Sequence, residues 1–247
     1  MNLYPAALPL LSGLFWSAST IALYLVARWV HARMGRWWTS PLCLAPLLLL
    51  ALAIALHATY SDYIRSTHWL MVMLGPVTVA FALPIFEQRA LIRRHWPVLL
   101  AGVATGSSLA MLSAWGLATL LGVSGAMRQS LLPRSISTPF AMTVSGSLGG
   151  VPDMTAVFVV LTGVFGAALG QLLLARLPLR TSLARGALLG MGAHGAGVAQ
   201  ARRVGDEEGA IASLVMILAG LVNVLAAPLL GLLLNPALGS SISPSLH

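Results

Sequence analysis

Residues 129–150 read QSLLPRSISTPFAMTVSGSLGG. Pro133 and Pro139 each remove an intrahelical hydrogen bond and press on the preceding turn, and Gly146, Gly149 and Gly150 follow them. The Ser and Thr residues between can satisfy freed backbone groups locally. Long apolar runs flank the stretch, and in hydrocarbon a broken backbone is tolerated only where protein or a polar cavity surrounds it. This segment is therefore expected to be a discontinuous helix or a re-entrant hairpin, sheltered from lipid.

Composition puts the flanking runs in a membrane. Of 247 residues, 58% are hydrophobic and 8% charged, whereas a soluble domain carries roughly 25% charged residues. The net charge of +8 comes from arginines dispersed between apolar stretches, which fits orientation by cytoplasmic loops better than nucleic-acid binding. The first basic residue, Arg28, lies beyond the first apolar stretch, so that stretch is expected to be a retained span, not a signal peptide. Cys43 is the lone cysteine, no His, Cys or acidic grouping has metal-site spacing, and no hydrolase, phosphate-loop or dinucleotide motif occurs. Neither a metal, a cofactor nor enzymatic activity is expected.

A span needs about 20 apolar residues, and six stretches qualify: 8–30, 42–60, 69–86, 96–121, 153–174 and 210–234. Between the first two lie Arg28, His31, Arg33 and Arg36, with Trp37 and Trp38 as interfacial anchors. Asp62, Arg65 and His68 read as the next loop, Glu87, Arg89, Arg93 and Arg94 as a basic one, and Arg128 marks a loop poor in charge. The alternation puts the amino terminus outside. Gly75, Pro76, Thr78 and Pro84 interrupt the third span, where a kink is expected. A Ser/Pro-rich tail follows the sixth.

A second irregular segment, 186–205, contains GMGAHGAGVAQ at 190–200. Gly192, Gly195 and Gly197 surround His194 there, permitting close helix approach or an unwound backbone. Each broken segment precedes a span, and a shift of 57 residues carries Gly163 onto Gly220. By charge, the first would enter from outside and the second from the cytoplasm, the pattern of an inverted repeat; chance recurrence of small residues is the alternative. The expected fold is all-α: a polytopic integral membrane protein of about six transmembrane helices plus two broken or re-entrant segments. It forms one membrane domain over 1–247, with amino-terminal helices in 1–122 and broken-helix units at 129–174 and 186–234.

Polar residues at the breaks are the candidates for chemistry. Ser135, Ser137 and Thr138 precede a half-helix whose free N–H groups and dipole favour an anion. Arg134 would give a carboxylate a bidentate partner, or else snorkels to the headgroups. His194 is a titratable group at membrane depth, suited to binding a carboxylate or relaying a proton, or to bonding a helix end. Asn223 lies deep in the sixth span and needs partners. Asp206, Glu207 and Glu208 sit where acidic residues stabilise a helix start, with His194, Glu207 and Glu208 as coupling candidates. One of the acids could instead pair with Arg202 or Arg203, and Asp153 has the same capping explanation.

Three runs, LGPVTVAFALPIFEQ at 74–88, LLPRSISTPFAMTVSGSLGG at 131–150 and GAHGAGVAQARRVGDEEGAIASLVM at 192–216, closely resemble the LrgB/CidB family of bacterial inner-membrane proteins. The resemblance implies an antiholin-like protein or regulator of murein hydrolase export, partnered by a smaller holin-like LrgA/CidA protein. A plant chloroplast relative exchanges glycolate and glycerate, and some bacterial members are linked to pyruvate uptake. The family's polar signature falls on Arg134, Ser135, Thr138, Pro139, His194, Glu207 and Glu208. Arg134 replaces a usual lysine, and Ala193 and Val198 replace a serine and a threonine. Two functions follow as expectations: a secondary transporter of small monocarboxylates, proton-coupled, or a regulator of lysis. A homo-oligomer in the lipid bilayer is expected in either case.

Overall fold

The computed structural model describes residues 4–234, all of whose regular elements are helical; the Ser/Pro-rich tail lies outside the described residues. Among these, five helical stretches are long and apolar enough to cross a membrane: Ser12–Met34, Tyr60–Glu87, Arg89–Leu120, Pro152–Arg176 and Asp206–Leu232. A sixth apolar helix, Pro41–Ala55, has 15 residues, about 22 Å at 1.5 Å per residue, less than the ~30 Å hydrocarbon layer. The protein is a polytopic α-helical membrane protein.

The chain divides into two units after Ala80. The first holds α1 (Tyr4–Met34), a 3-10 turn at Trp37–Thr39, α2 (Pro41–Ala55), α3 (Tyr60–Val72) and α4 (Leu74–Ala80). Thr39 ties the turn to α1: its hydroxyl donates to the Arg36 carbonyl at 2.7 Å and lies 3.1 Å from His31 Nδ1. Trp16 is buried on α1, edge-on to Tyr63 of α3 at 5.6 Å. The Trp69 indole donates to Ser17 at 2.8 Å. Asp62, Arg65 and His68, expected in a loop, are instead helical. The reason is a capping box: the Asp62 N–H donates to the Thr59 hydroxyl at 3.3 Å and the Thr59 N–H to the Asp62 carboxylate at 3.1 Å, starting the helix at Tyr60. Gly75 and Pro76 fall in the first turn of α4, where a missing N–H costs little.

The second unit runs through α5 (Ala82–Glu87), α6 (Arg89–Leu120), α7 (Gly125–Leu131), α8 (Thr138–Ser147), α9 (Pro152–Arg176), α10 (Ser182–Val204) and α11 (Asp206–Leu234). Arg89, Arg93 and Arg94, expected in a loop, occupy the opening turns of α6. The helix kinks at His95 (φ −121°, ψ 15°), two residues before Pro97. α11 is the best-buried span, with Ile211, Leu214, Ile217 and Ala219 all withdrawn from the surface.

Both broken segments are hairpins. In the first, Ser130 of α7 and Ser145 of α8 meet at one residue, Thr155 of α9, so the chain has reversed between them. In the second, α10 doubles back at His194: a Cβ on Gly197 would collide with the carbonyl of Leu189, eight residues earlier, which a straight helix would hold about 12 Å away. The residues meeting α9 give the direction. Gly163, Gly166 and Gly170 face His194, Gly192 and Leu189 in turn, so the first arm of α10 runs antiparallel to α9 from that helix's carboxyl end. The first hairpin has its base at the amino end of α9. The two therefore enter from opposite ends of α9, as an inverted arrangement requires.

Candidate functional site

The hairpin tips meet halfway along the spanning helices. His194 lies against Gly163, one residue from the middle of α9. Phe140, in the first turn of α8, fills the space a side chain would need at Gly220, the middle residue of α11.

At the first tip, tight turns carry the chain through 132–137: Arg134 N–H donates to the Leu131 carbonyl and Ile136 N–H to that of Pro133, each at 3.3 Å. Pro133 and Ile136 are fully buried and anchor the turn. Ser137, 7% exposed, stands at the N-cap of α8, yet its hydroxyl makes no capping bond and has no partner. Pro139 in the first turn supplies no N–H, so the dipole and the remaining N–H groups of the α8 amino end are what would attract something negative. Ser135 and Thr138 are half-buried beside it.

At the second tip, His194 adopts φ 39° and ψ −120°, close to the first central position of a type II′ turn, ordinarily reserved for glycine. The side chain is 4% exposed; its ring reaches the main-chain carbonyl of Arg134, while Nε2 has no partner. Of the neighbouring glycines, Gly192 and Gly195 have open space where a side chain would begin, and Gly197 is the one the reversal demands. His194 follows Ser137 by 57 positions, the same shift that relates Gly163 to Gly220. Equivalent places in the two hairpins thus hold the two buried polar atoms left open at the tips.

Arg134 points to a cavity of about 310 Å³ walled by Ala114, Leu131, Phe158 and Leu161, with Thr162 beside it. No carboxylate among the described residues pairs with Arg134. Ser137 and His194 are not among the cavity's walls, so the structure brings the two tips together without putting the Arg134 side chain in one cavity with them. A half-buried cation, and an unpartnered hydroxyl at a helix amino end, each suit a small anion stripped of water.

The remaining candidates lie away from the tips. The Asn223 amide donates to Ser107 of α6 at 2.8 Å and to the Ala219 carbonyl at 2.7 Å, joining α11 to α6. Glu208 is buried and pairs with Arg185 at 3.3 Å, not with Arg202 or Arg203, whereas Asp206 and Glu207 are exposed at the start of α11. Sequence reasoning missed the hydroxyl cluster at the base of the first hairpin. Thr155 donates within reach of Ser145 Oγ (2.6 Å) and the Ser130 carbonyl (3.0 Å), and Ser130 Oγ accepts from Val151 N–H at 2.7 Å. All three side chains are fully buried. Their one sequence signal was the recurrence of hydroxyls in and after a proline-broken stretch, which does not say which of them meet.

Residues 20–233 match the family model described as LrgB-like. The chain belongs to the LrgB-like family. Among LrgB-like relatives, the uncharacterized protein YwbG of Bacillus subtilis is 38% identical over 211 residues, covering 85% of this chain and 94% of that protein. The antiholin-like protein LrgB of Bacillus subtilis is 31% identical, covering 78% and 84%, and the holin-like protein CidB of Staphylococcus epidermidis is 28% identical, covering 87% and 93%. No solved structure matches the chain. The LrgB-like match runs from α1 to α11 and includes both hairpins. With its apolar spans, this LrgB-like chain is a multi-pass bacterial membrane protein.

Proposed function

We propose that the protein is a secondary transporter of small monocarboxylates of the pyruvate and glycolate kind, and not an enzyme. The observation that carries this reading is the meeting of two oppositely inserted hairpins at mid-span, where Ser137 Oγ and His194 Nε2 are buried without partners, at a turn whose Arg134 has no counter-ion among the described residues. A desolvated carboxylate would satisfy Arg134 and Ser137 directly, and His194 Nε2 once the ring has taken up a proton and become a donor. Arg134 takes the carboxylate, Ser137, Thr138 and the α8 amino end complete its bonds, and His194 or Glu208 carries the coupling proton. The setting is the bacterial inner membrane, with the amino terminus outside and copies of the chain associated. The test is uptake of labelled pyruvate, lactate, glycolate and glycerate into proteoliposomes. Arg134→Ala should lower uptake at least tenfold; unchanged uptake removes Arg134 from the site. A rate that stays flat between about pH 5.5 and 8 removes histidine-linked proton coupling.

The relatives' names, antiholin-like and holin-like, support a second reading, a regulator of lysis; the family resemblance would make its target murein hydrolase export and its partner a holin-like LrgA/CidA-type protein. That role needs an exposed helix face and assigns no task to the open polar atoms at the tips. Lysis control that survives Arg134→Ala while uptake is lost would separate the two.

A further inference from the structure

Around its single cation, the Arg134 cavity is almost wholly hydrocarbon. Leu131, Phe158, Leu161 and Ala114 form its walls, and Thr162 supplies a hydroxyl. The cavity of about 310 Å³ is open along Leu117 and Leu161, which are 55% and 49% exposed. An acid of three carbons bound at Arg134 would leave most of those Leu and Phe faces untouched, whereas a longer apolar tail drawn from water would bury itself against them.

The other end of the repeat has the same character. The 57-residue shift carries Arg134 onto Met191 and Phe158 onto Val215, and both line a second cavity of about 350 Å³ together with Val103, Leu183 and Ala187. Met191 is seated there against Gly106 of α6. A ligand exchanged between equivalent mouths of the two hairpins therefore meets one cationic, apolar-walled mouth and one mouth with no charged side chain at all.

We infer that the acid fitted best by the Arg134 cavity is an amphiphile, a monocarboxylate with a short apolar tail, linear or branched, and not the smallest members of its class. The inference rests on the carboxylate reading above and narrows it. Arg134 holds the carboxylate at the tip of the first hairpin, and the tail lies between Leu131 of the hairpin and Phe158 and Leu161 of α9. Each methylene buried there tightens binding about fourfold.

The experiment is competition against labelled pyruvate in proteoliposomes of the full chain, using unlabelled pyruvate, 2-oxobutyrate, 3-methyl-2-oxobutyrate and 4-methyl-2-oxopentanoate. Direct titration of the purified protein with the same acids accompanies it. Half-inhibition is expected to fall about fourfold with each added methylene until the cavity is full. Ala114→Leu, which fills the wall, should lower the preference for the branched acid over pyruvate. Leu161→Ala, at a half-exposed position that folding tolerates, should move the optimum to a longer tail. Pyruvate as the tightest ligand would overturn this inference and leave the carboxylate reading standing. A preference for long tails that neither variant alters would also overturn it, since another surface would then set the selectivity. No binding of any acid in either assay would overturn both readings together.

Discussion

The imidazole of His194 rests on the α carbon of Gly163: a methyl group placed there would stand 3.3 Å from Cε1 and 3.4 Å from Nδ1. Three residues on, a methyl at Gly166 would run into the main-chain carbonyl of Gly192. These neighbours differ in what can yield. Gly163→Ala asks a ring to shift by a few tenths of an ångström and regains helix propensity worth about 0.5–1 kcal/mol, so unfolding in detergent should change little while uptake falls several-fold. Gly166→Ala asks backbone to move and should cost about 1–3 kcal/mol. Equal thermal stability of the two variants would refute the close packing of α9 on the second hairpin.

His194 itself holds a conformation suited to glycine, a strain of order 1–3 kcal/mol. His194→Ala removes the ring and keeps the strain, whereas His194→Gly removes both. The glycine variant is therefore expected to be the more stable by about 1–2 kcal/mol, the reverse of the usual ranking inside a helix, with neither retaining uptake. Chemical denaturation of the pair measures it, and an alanine variant at least as stable as the glycine one would show that the tip is not a strained reversal.

At the base of the first hairpin, Ser130→Ala strands the Val151 N–H that its hydroxyl accepts from. Removing one partner of a buried bond costs about 1–3 kcal/mol. Thr155→Val, similar in shape, should cost a comparable amount by leaving Ser145 without its 2.6 Å neighbour. Because both belong to one network, the double variant should be less damaging than the two losses added. Strict additivity in denaturation would mean that the hydroxyls act independently.

Arg185 and Glu208 share an ion pair but not an environment: the arginine side chain is 36% exposed and the carboxylate 8%. Arg185→Ala leaves a buried charge alone, while Glu208→Ala leaves an arginine that water can reach. The first should destabilise by a few kcal/mol and the second by about 1 kcal/mol. Were the order reversed, the pair would not be what holds the start of α10 to the start of α11.

The hairpins were legible because proline, glycine and hydroxyl residues between apolar runs have no stable place in lipid. The opposing entry was legible in the distribution of arginine. Finer placement was not. Nothing in GMGAHGAGVAQ distinguishes reversal at His194 from unwinding at any of four glycines, since the choice depends on α9 offering Gly163 and Gly166 at matching heights. Asp62 looked like a loop charge because Thr59, which makes it a cap, lies three residues away at the end of an apolar run. The pairing of Glu208 with Arg185, not Arg202 or Arg203, follows from the fold-back of α10, which sets the start of that helix beside the start of α11.

Neither hairpin can enter a bilayer by itself, because its arms stop halfway and expose unfinished backbone at their ends. The first depends on α9 and the second on α11, and each of these helices follows its hairpin in the chain. Each hairpin thus gains its shelter only after its own synthesis is complete, and chains cut short before α11 should be cleared by quality-control proteolysis instead of persisting in the membrane.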